Sequence, residues 1–465
     1  MQIDFNSPSH FYFIGIGGIS MSGLAHILLD RGFSISGSDK KASEQTDVLS
    51  SLGASVFIGQ AEENLEKAKE LHGPVQAVIY TAAVKDDNEE LLRARTEGIP
   101  CLTRATLLGQ LMKEYNVSVA VSGTHGKTTT TSMLSQILLE GDTDPTLSIG
   151  GVFPPIHGNI RVGHSDTFVT EACEYTNSFL EFFPTIGIVL DIDADHLDFF
   201  KDLDDIRHSF RQFCALLPND GTLIINADIE DVSYFTKGLS CNIITYGAAD
   251  TCDYYPSDIT FDDKGNPSYV LHRPDNTTQE IKLQVPGMHN VFNSVAACVA
   301  ADLLQVERDI IARALSAFSG THRRFEFKGD LHGVTIVDDY AHHPTEITAT
   351  LTAAAKVPHN KIYTVFQPHT YTRTKALFDE FATALSLSDV VVLADIYAAR
   401  ETDTLGVSSK TLCDKMVLDG CDCHYFPTFD EIEKFLLKNC TKGDLLITMG
   451  AGDVVKIGDS LLGSA

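Results

Sequence analysis

The sequence predicts an α/β protein built as three consecutive α/β domains. Its 465 residues are too many for one hydrophobic core, because compact domains hold roughly 100–200 residues. Short apolar runs of strand length alternate with helical patterns along the whole chain, which is how βα units over a parallel sheet read. At 43% hydrophobic and 21% charged residues, the composition can fill several such cores.

The first region is placed at residues 1–106. A strand, Phe11 to Ile14, runs into Gly15-Ile16-Gly17-Gly18-Ile19-Ser20-Met21-Ser22-Gly23, and a helix continues through Leu24, Ile27, Leu28 and Leu29. A second strand, Phe33 to Ile35, ends at Gly37-Ser38-Asp39. In such a βαβ unit the glycines admit a diphosphate to the helix N-terminus, and an acid after the second strand meets a polar group of the ligand. Ser20 stands where a dinucleotide fingerprint has its third glycine, and a lone Gly-x-Gly also fits any tight βα turn. A strand at Val75 to Tyr80 and a helix over Glu89 to Glu97 follow, and the region closes near Arg104 and Ala105.

The second region, residues 107–321, holds the most informative stretch. An apolar run from Val117 to Val121 leads into Gly123-Thr124-His125-Gly126-Lys127-Thr128-Thr129, and a helical pattern follows through Met133, Leu134, Ile137 and Leu138. Strand, glycine loop and helix wrap backbone N–H groups around phosphates, with the lysine reaching the terminal phosphates and the hydroxyl of Thr128 holding magnesium. The spacing is irregular, since Gly123 lies three residues before Gly126 and the general pattern's first glycine falls on Val121. An ordinary βα connection reads the same way. Strands are expected at Thr167 to Val169, Ile186 to Val189 and Leu223 to Ile225, an antiparallel excursion between Tyr246 and Val285, and a helix from about Asn290.

The third region, residues 322–465, repeats the alternation with strands at Val334 to Val337, Ile362 to Val365, Val390 to Leu393 and Leu445 to Thr448. Acid and histidine groups collect near strand ends, where open α/β sheets bind ligands. Glu171-Ala-Cys-Glu174 offers a carboxylate opposite Thr128, or a solvated loop acid. Asp191-Ile-Asp193-Ala-Asp195-His196-Leu-Asp198 concentrates negative charge that a cation or basic ligand would relieve, and His196 by itself reads as a loop histidine. Asp338-Asp339-Tyr340-Ala-His342-His343-Pro344 fits acid–base chemistry, a transition metal or a structural turn. Arg323, Arg324 and Arg373 suit phosphate or carboxylate clamps at domain joints, or interdomain ion pairs.

A net charge of −28 excludes nucleic acid and anionic membrane as natural partners. Ten scattered cysteines suit a reducing cytoplasm; Cys421, Cys423 and His424 form the one local group of soft ligands and lack a second pair at zinc-finger spacing. No run approaches the ~20 apolar residues of a membrane span, and no secretory leader opens the chain. A soluble cytoplasmic protein is expected.

In order along the chain, Gly15 to Gly23, Gly123-Thr-His-Gly-Lys-Thr128, Glu171-Ala-Cys-Glu174, Asp193-Ala-Asp-His196, His289-Asn-Val-Phe-Asn293, His322-Arg-Arg-Phe325, Asp338 to Glu346 and Phe366-Gln-Pro-His369 resemble the ATP-dependent Mur ligases of peptidoglycan synthesis. The shortened glycine spacing is a mark of that family, and His125 of its alanine-adding branch. The resemblance implies a Rossmann-like N-terminal domain, a P-loop ATPase centre with a mostly parallel sheet, and a Rossmann-like C-terminal domain. It implies ATP and Mg2+, with UDP-N-acetylmuramate and L-alanine joined through an acyl phosphate, by a monomer or a homodimer. A related recycling ligase that adds a preformed peptide to the same sugar nucleotide is the alternative.

By the same resemblance, Gly15, Gly17, Gly18, Ser20, Met21, Ser22, Gly23, Asp39 and Arg104 hold the UDP-sugar. Gly123 to Thr129 hold the phosphates of ATP, with Lys127 on the γ-phosphate. Thr128 and Glu171 hold one magnesium and His196 a second. His289, Asn290 and Asn293 contact adenine, while Arg324 and Asp339 meet ATP phosphate and ribose. His343, Arg373 and Arg400 serve the alanine carboxylate or the transferring phosphoryl group. Many relatives carry arginine at Thr370 and glycine at Ala341, so any role of that arginine falls to Arg373 or is absent.

Overall fold

A computed structural model describes residues 3–463 except 6, 8, 82, 198, 400 and 404. Near the N-terminus a five-stranded parallel sheet runs in the order Ser55–Ile58, Ser34–Asp39, His10–Ile14, Val75–Tyr80, Cys101–Thr103. Its central strand, His10–Ile14, is buried at every position, as expected of an apolar run covered on both faces. The neighbouring strand extends to Asp39, four residues beyond the apolar run that ends at Ile35, because Ser36 and Ser38 are small enough to be buried beside it. Gly37 is required there, since a Cβ would lie 2.4 Å from Phe13 O. Ser38 is fixed from below by the buried carboxylate of Glu90, which also accepts from Tyr12 Oη (2.9 Å) and Asn64 Nδ2 (2.8 Å). That network sets the strand end from which Asp39 emerges.

The second sheet has seven strands in the order Asn242–Tyr246, Thr222–Asn226, Ile186–Val189, Val117–Ser122, Thr167–Glu171, Thr146–Phe153, Gly158–Arg161. Only the last pair is antiparallel. The Thr146–Phe153 and Gly158–Arg161 hairpin escapes the apolar pattern because its outer strand is half-exposed and a Gly-Gly step interrupts the inner one. The antiparallel excursion is present as a three-stranded sheet, Tyr255–Phe261, Pro267–His272 and Thr278–Lys282. The expected helix follows at Met288–Leu303.

The third sheet runs Glu326–Leu331, Val334–Asp339, Leu445–Met449, Ile362–Phe366, Val390–Leu393, Cys423–Tyr425. The first pair is antiparallel and the others are parallel. The four inner strands are the four apolar runs of the sequence. The two edge strands lack such runs: Glu326–Leu331 buries no residue fully, and Cys423–Tyr425 has three residues. Among the described residues, no helix is long and apolar enough to cross a membrane.

Helix Arg104–Met112 crosses the division placed at residue 106 and packs on the segment Tyr175–Glu181. Thr103 caps it by accepting from Thr106 N–H at 3.1 Å. Gly109 faces this contact so closely that a Cβ would stand 1.9 Å from Glu181 O. Alanine normally improves a helix interior by about 1 kcal/mol over glycine. Here the clash with backbone reverses the sign, and Gly109→Ala should destabilise by roughly 1–3 kcal/mol, as overpacking does. Thermal denaturation should show a lowered Tm; an unchanged or raised Tm would contradict the packing.

Candidate active site

Strand Val117–Ser122 delivers the loop 123–126 to helix Lys127–Glu140. Gly126 is the N-cap in the left-handed region (φ 79°), and a Cβ there would also lie 2.5 Å from Asn293 Oδ1. The loop is short because another segment supports it. His125 N–H donates to Asp191 Oδ1 (2.8 Å), Thr124 N–H to Asp191 O (3.3 Å), and Asp193 N–H to Thr124 Oγ1 (2.9 Å). Lys127 Nζ donates to Gly123 O (2.5 Å), Thr124 O (3.0 Å) and Glu174 Oε2 (2.9 Å). Burial works against its charge, but Glu174, together with Cys173 and Asp191, outweighs burial and holds the ammonium above the usual lysine range. Glu174, itself buried, is thus the lysine's partner, a role its place in the motif did not distinguish from that of Glu171.

A cavity of about 250 Å³ opens beside the loop, between the second and third regions. Its walls bring together His125, Gly126 and Thr129 from the loop, His289, Asn290 and Asn293 from helix Met288–Leu303, and Arg324, Asp339 and Glu346 from the third region. Asn226 and Tyr246, which belong to no motif, complete one wall from two strand ends. Asn290 is oriented by Pro286 O (2.8 Å) and in turn accepts from Asn293 Nδ2 (3.1 Å). Asp339 accepts from the N–H groups of Phe325 (2.9 Å) and Ala341 (2.7 Å). Burial pushes its carboxyl up to about 6, against the pull of Arg324. Arg324 lies over the Tyr340 ring at 5.3 Å and 3.7 Å from Glu346 Oε1. Its neighbour Arg323 is spent within the third region, on Asp338 Oδ2 (2.9 Å), Gly450 O (2.6 Å) and Gly452 O (3.1 Å).

Thr128 and Glu171 meet at the loop's other side. Glu171 accepts from Gly150 N–H (2.5 Å), and burial raises the carboxyl's pKa against the pull of Gly150 N–H and the Thr128 hydroxyl. A Cβ on Gly150 would fall 2.4 Å from Glu171 Oε2, so glycine keeps the carboxylate seated. These oxygen donors fit an ion that prefers oxygen, which is the test the magnesium expectation must meet. His196 sits further out, left-handed at φ 54°, its ring tilted against that of Tyr175 (centroids 4.6 Å apart) and 3.8 Å from Glu174 Oε1. Arg104 lies near enough to feel Cys173 and Glu171, with burial lowering its pKa.

The third region reaches the same place from above. Arg373 donates from Nε (3.0 Å) and Nη2 (2.9 Å) to Asp195 Oδ1, Thr345 Oγ1 donates to Asp193 Oδ2 (2.6 Å), and His343 Nε2 meets Ala194 O (3.1 Å). Burial disfavours the charge on Asp195, but Arg373 and His196 hold it well below the usual carboxylate range. Beside Arg373 is a small cavity of about 80 Å³, lined by Ala194, His196, Leu197, Thr372, Ala376 and Leu377. Thr370 precedes helix Tyr371–Ala376 with φ 68°, and Ala341 is buried, its N–H on Asp339 Oδ1. Arg400 and Asp198 lie outside the described residues.

In the first region a cavity of about 370 Å³ is lined by Gly15, Gly18, Asp39, Lys40, Gln60, Thr81, Lys85 and Asn88. Asp39 shapes the turn by accepting from Gly17 N–H (2.9 Å). A Cβ on Gly17 would lie 2.9 Å from Thr46 Cγ2. Ser20 stands half-buried in the first helical turn, and Ser22 Oγ donates to Ile19 O (2.9 Å). Two residues expected on the ligand face elsewhere. Met21 is 1% exposed within the core, and Gly23 faces Ile160 of the second region, where a Cβ would lie 2.0 Å from its Cγ1. Both therefore serve packing. Lys40 and Lys85 were not legible as site residues because isolated loop lysines form no pattern. The soft cluster near the C-terminus also dissolves: Cys423 is buried in the sheet and His424 pairs with Asp422 Oδ1 at 2.9 Å.

A nucleotide loop facing a joint between α/β layers, with a second ligand cavity in a preceding parallel sheet, describes an ATP-using ligase architecture. Three family models match in sequence: "Mur ligase family, catalytic domain" at residues 10–116, "Mur ligase middle domain" at 121–301 and "Mur ligase, glutamate ligase domain" at 323–452. The chain belongs to the Mur ligase family. It is 54% identical to UDP-N-acetylmuramate–L-alanine ligase of Agathobacter rectalis and 56% identical to that of Lachnospira eligens, each alignment covering 99% of both chains. Among solved structures it resembles UDP-N-acetylmuramate–alanine ligase of Thermotoga maritima (29% identity, 98% of each chain, TM-score 0.79). It also resembles a murein peptide ligase of Psychrobacter arcticus (25%, 98% of each chain, TM-score 0.72).

His342 gives this site a measurable pH signature. Its Nδ1 lies 3.0 Å from Tyr340 O and 3.3 Å from Glu346 Oε2, yet burial, aided by Arg373, lowers its pKa to about 4. The folded state keeps this ring neutral while the unfolded chain protonates near pH 6.5, so its contribution to stability is lost as pH falls from about 6.5 toward 4. The limiting slope is ~1.4 kcal/mol per pH unit. Urea denaturation should show the stability advantage of wild type over His342→Gln shrinking by about 1–2 kcal/mol between pH 6.5 and 5. An advantage independent of pH would contradict a buried neutral ring.

Proposed function

We propose that this chain joins L-alanine to the lactyl carboxylate of UDP-N-acetylmuramate, converting ATP to ADP and phosphate. The observation that carries the proposal is full-length identity of 54% and 56% to ligases of that name, together with a phosphate loop facing Arg324 of the third region. A carboxylate does not react with an amine until one oxygen becomes a leaving group. Phosphorylation achieves this: a carboxylate oxygen attacks the γ-phosphorus and ADP departs. The amine then attacks the carbonyl carbon, phosphate leaves with the former carboxylate oxygen, and the nitrogen sheds a proton.

Both steps bring anions together, so electrostatic stabilisation is the main requirement. Lys127 exchanges Glu174 for a γ-phosphate oxygen and follows it through transfer. Thr128 and Glu171 would hold a first Mg2+ and His196 a second, supplying positive charge at the phosphates. His289, Asn290 and Asn293 face the base, and Arg324 and Asp339 the phosphate and ribose. The sugar nucleotide's diphosphate sits at Gly15 and Gly18 beside Lys40 and Lys85, with Arg104 directed to the lactyl end. Arg373 receives the amino acid, and His343 holds the neighbouring loop at Ala194 O. The small cavity beside Arg373, about 80 Å³, is of a size for the methyl side chain of alanine.

We place the joints between domains near residues 106 and 321, and the continuous helix Arg104–Met112 supports setting the first ahead of Arg104. Ten free cysteines fit a reducing cytoplasm, where we place the protein.

Phosphate release should require UDP-N-acetylmuramate and L-alanine together. Release with a preformed tripeptide but not with L-alanine would overturn the assignment in favour of a recycling ligase. Lys127→Ala should lower phosphate release at least 100-fold while UDP-N-acetylmuramate binding, followed by calorimetry, stays within about threefold. A variant that turns over normally would remove Lys127 from the transfer step.

A further inference from the structure

His125, Asp193 and His343 meet at the joint between the phosphate loop and the third region, apart from Thr128, Glu171 and His196. One ligand atom from each lies within 4.8 Å of the others. His125 Nε2 is 3.3 Å from Asp193 Oδ2, and His343 Nδ1 is 3.9 Å from that same oxygen. Bonds of about 2.0–2.1 Å to a tetrahedral zinc ion set neighbouring ligand atoms roughly 3.3 Å apart, so one pair is already in place, the second needs about half an ångström, and the two imidazoles, within 4.8 Å of each other, close by a small ring movement.

The surroundings orient all three ligands. His125 presents its other nitrogen, Nδ1, to Glu346 Oε1 at 3.4 Å. His343 presents Nε2 to Ala194 O at 3.1 Å, which leaves the lone pair on Nδ1; that lone pair takes only a long 3.3 Å bond from Thr345 N–H. Asp193 has Oδ1 held by Ala194 N–H (2.7 Å) and Oδ2 by the Thr345 hydroxyl (2.6 Å). An imidazole whose far nitrogen is fixed by a carboxylate or a backbone carbonyl is the usual arrangement around a bound transition metal. Two imidazoles and one carboxylate suit zinc or cobalt and are poor ligands for magnesium.

We propose that His125, Asp193 and His343 form a site for a divalent transition metal of the zinc class, distinct from the magnesium ligands and fastening the phosphate loop to the third region. Coordination displaces the proton between His125 Nε2 and Asp193 to solvent, and water fills the fourth position.

Full-length, chelator-treated protein titrated with Co2+ tests this, because tetrahedral cobalt has an intense visible d–d absorption. One equivalent should develop that absorption, Zn2+ should bleach it, and excess Mg2+ should leave it in place. Asp193→Asn and His343→Ala should each abolish it, and Glu346→Gln should weaken binding about 10–100-fold, as loss of an orienting partner does. Glu171→Gln and Cys421→Ser should retain it. Absence of the band in wild type, its survival in both ligand variants, or its loss in Glu171→Gln or with Mg2+ would overturn the proposal. Circular dichroism confirms folding of each variant, and should one ligand variant unfold, the other decides.

Discussion

The cleft depends on one constraint, the bracing of a short phosphate loop by the chain between Leu190 and Asp195. The loop has too few residues to hold its own shape. Asp191 accepts the N–H groups of both Thr124 and His125, and Asp193 N–H closes the pairing onto the Thr124 hydroxyl. The same few residues then turn outward: Asp193 and Ala194 meet Thr345 and His343, and Asp195 meets Arg373. A single segment therefore sets the loop and the approach of the third region. Displacing it moves both sides of the cleft together.

Charge in the cleft is balanced by pairs that exchange readily. Lys127 is matched by Glu174, Arg373 by Asp195, and His125 lies between Asp193 and Glu346. Burial opposes the charge, but hydrogen bonds donated by the ring to those two carboxylates outweigh it and hold the His125 ring well above the usual histidine value. Buried pairs of this kind contribute little net stability, because desolvation offsets most of the attraction. Their use is to keep cations placed and charged where anionic substrates arrive. A chain with net charge −28 needs such local concentration of positive groups to admit a sugar nucleotide and ATP at all.

Most inner strands were legible in the sequence because burial on both faces demands uninterrupted apolar runs, as at Val390–Leu393 and Ile186–Val189. Edge strands such as Glu326–Leu331 were not, since one covered face needs no such run. Gly126, Lys127 and Thr128 stood out because phosphate and magnesium chemistry restricts residue type and spacing, whereas Glu171 by spacing alone read equally as a solvated loop acid. Met21 and Gly23 read as ligand residues only through their motif, and the packing of a helix against Ile160 accounts for them instead. Asn226, Tyr246, Lys40 and Lys85 enter cavities from separate strand ends and loops, so only the folded chain reveals them.

The claim on which the rest turns is that phosphate leaves carrying an oxygen of the sugar nucleotide. UDP-N-acetylmuramate labelled with 18O in its lactyl carboxylate, turned over with ATP and L-alanine, tests it by mass analysis of the phosphate released. Transfer of one labelled oxygen to each phosphate is the predicted result. Phosphate free of label would contradict activation of the carboxylate at this loop.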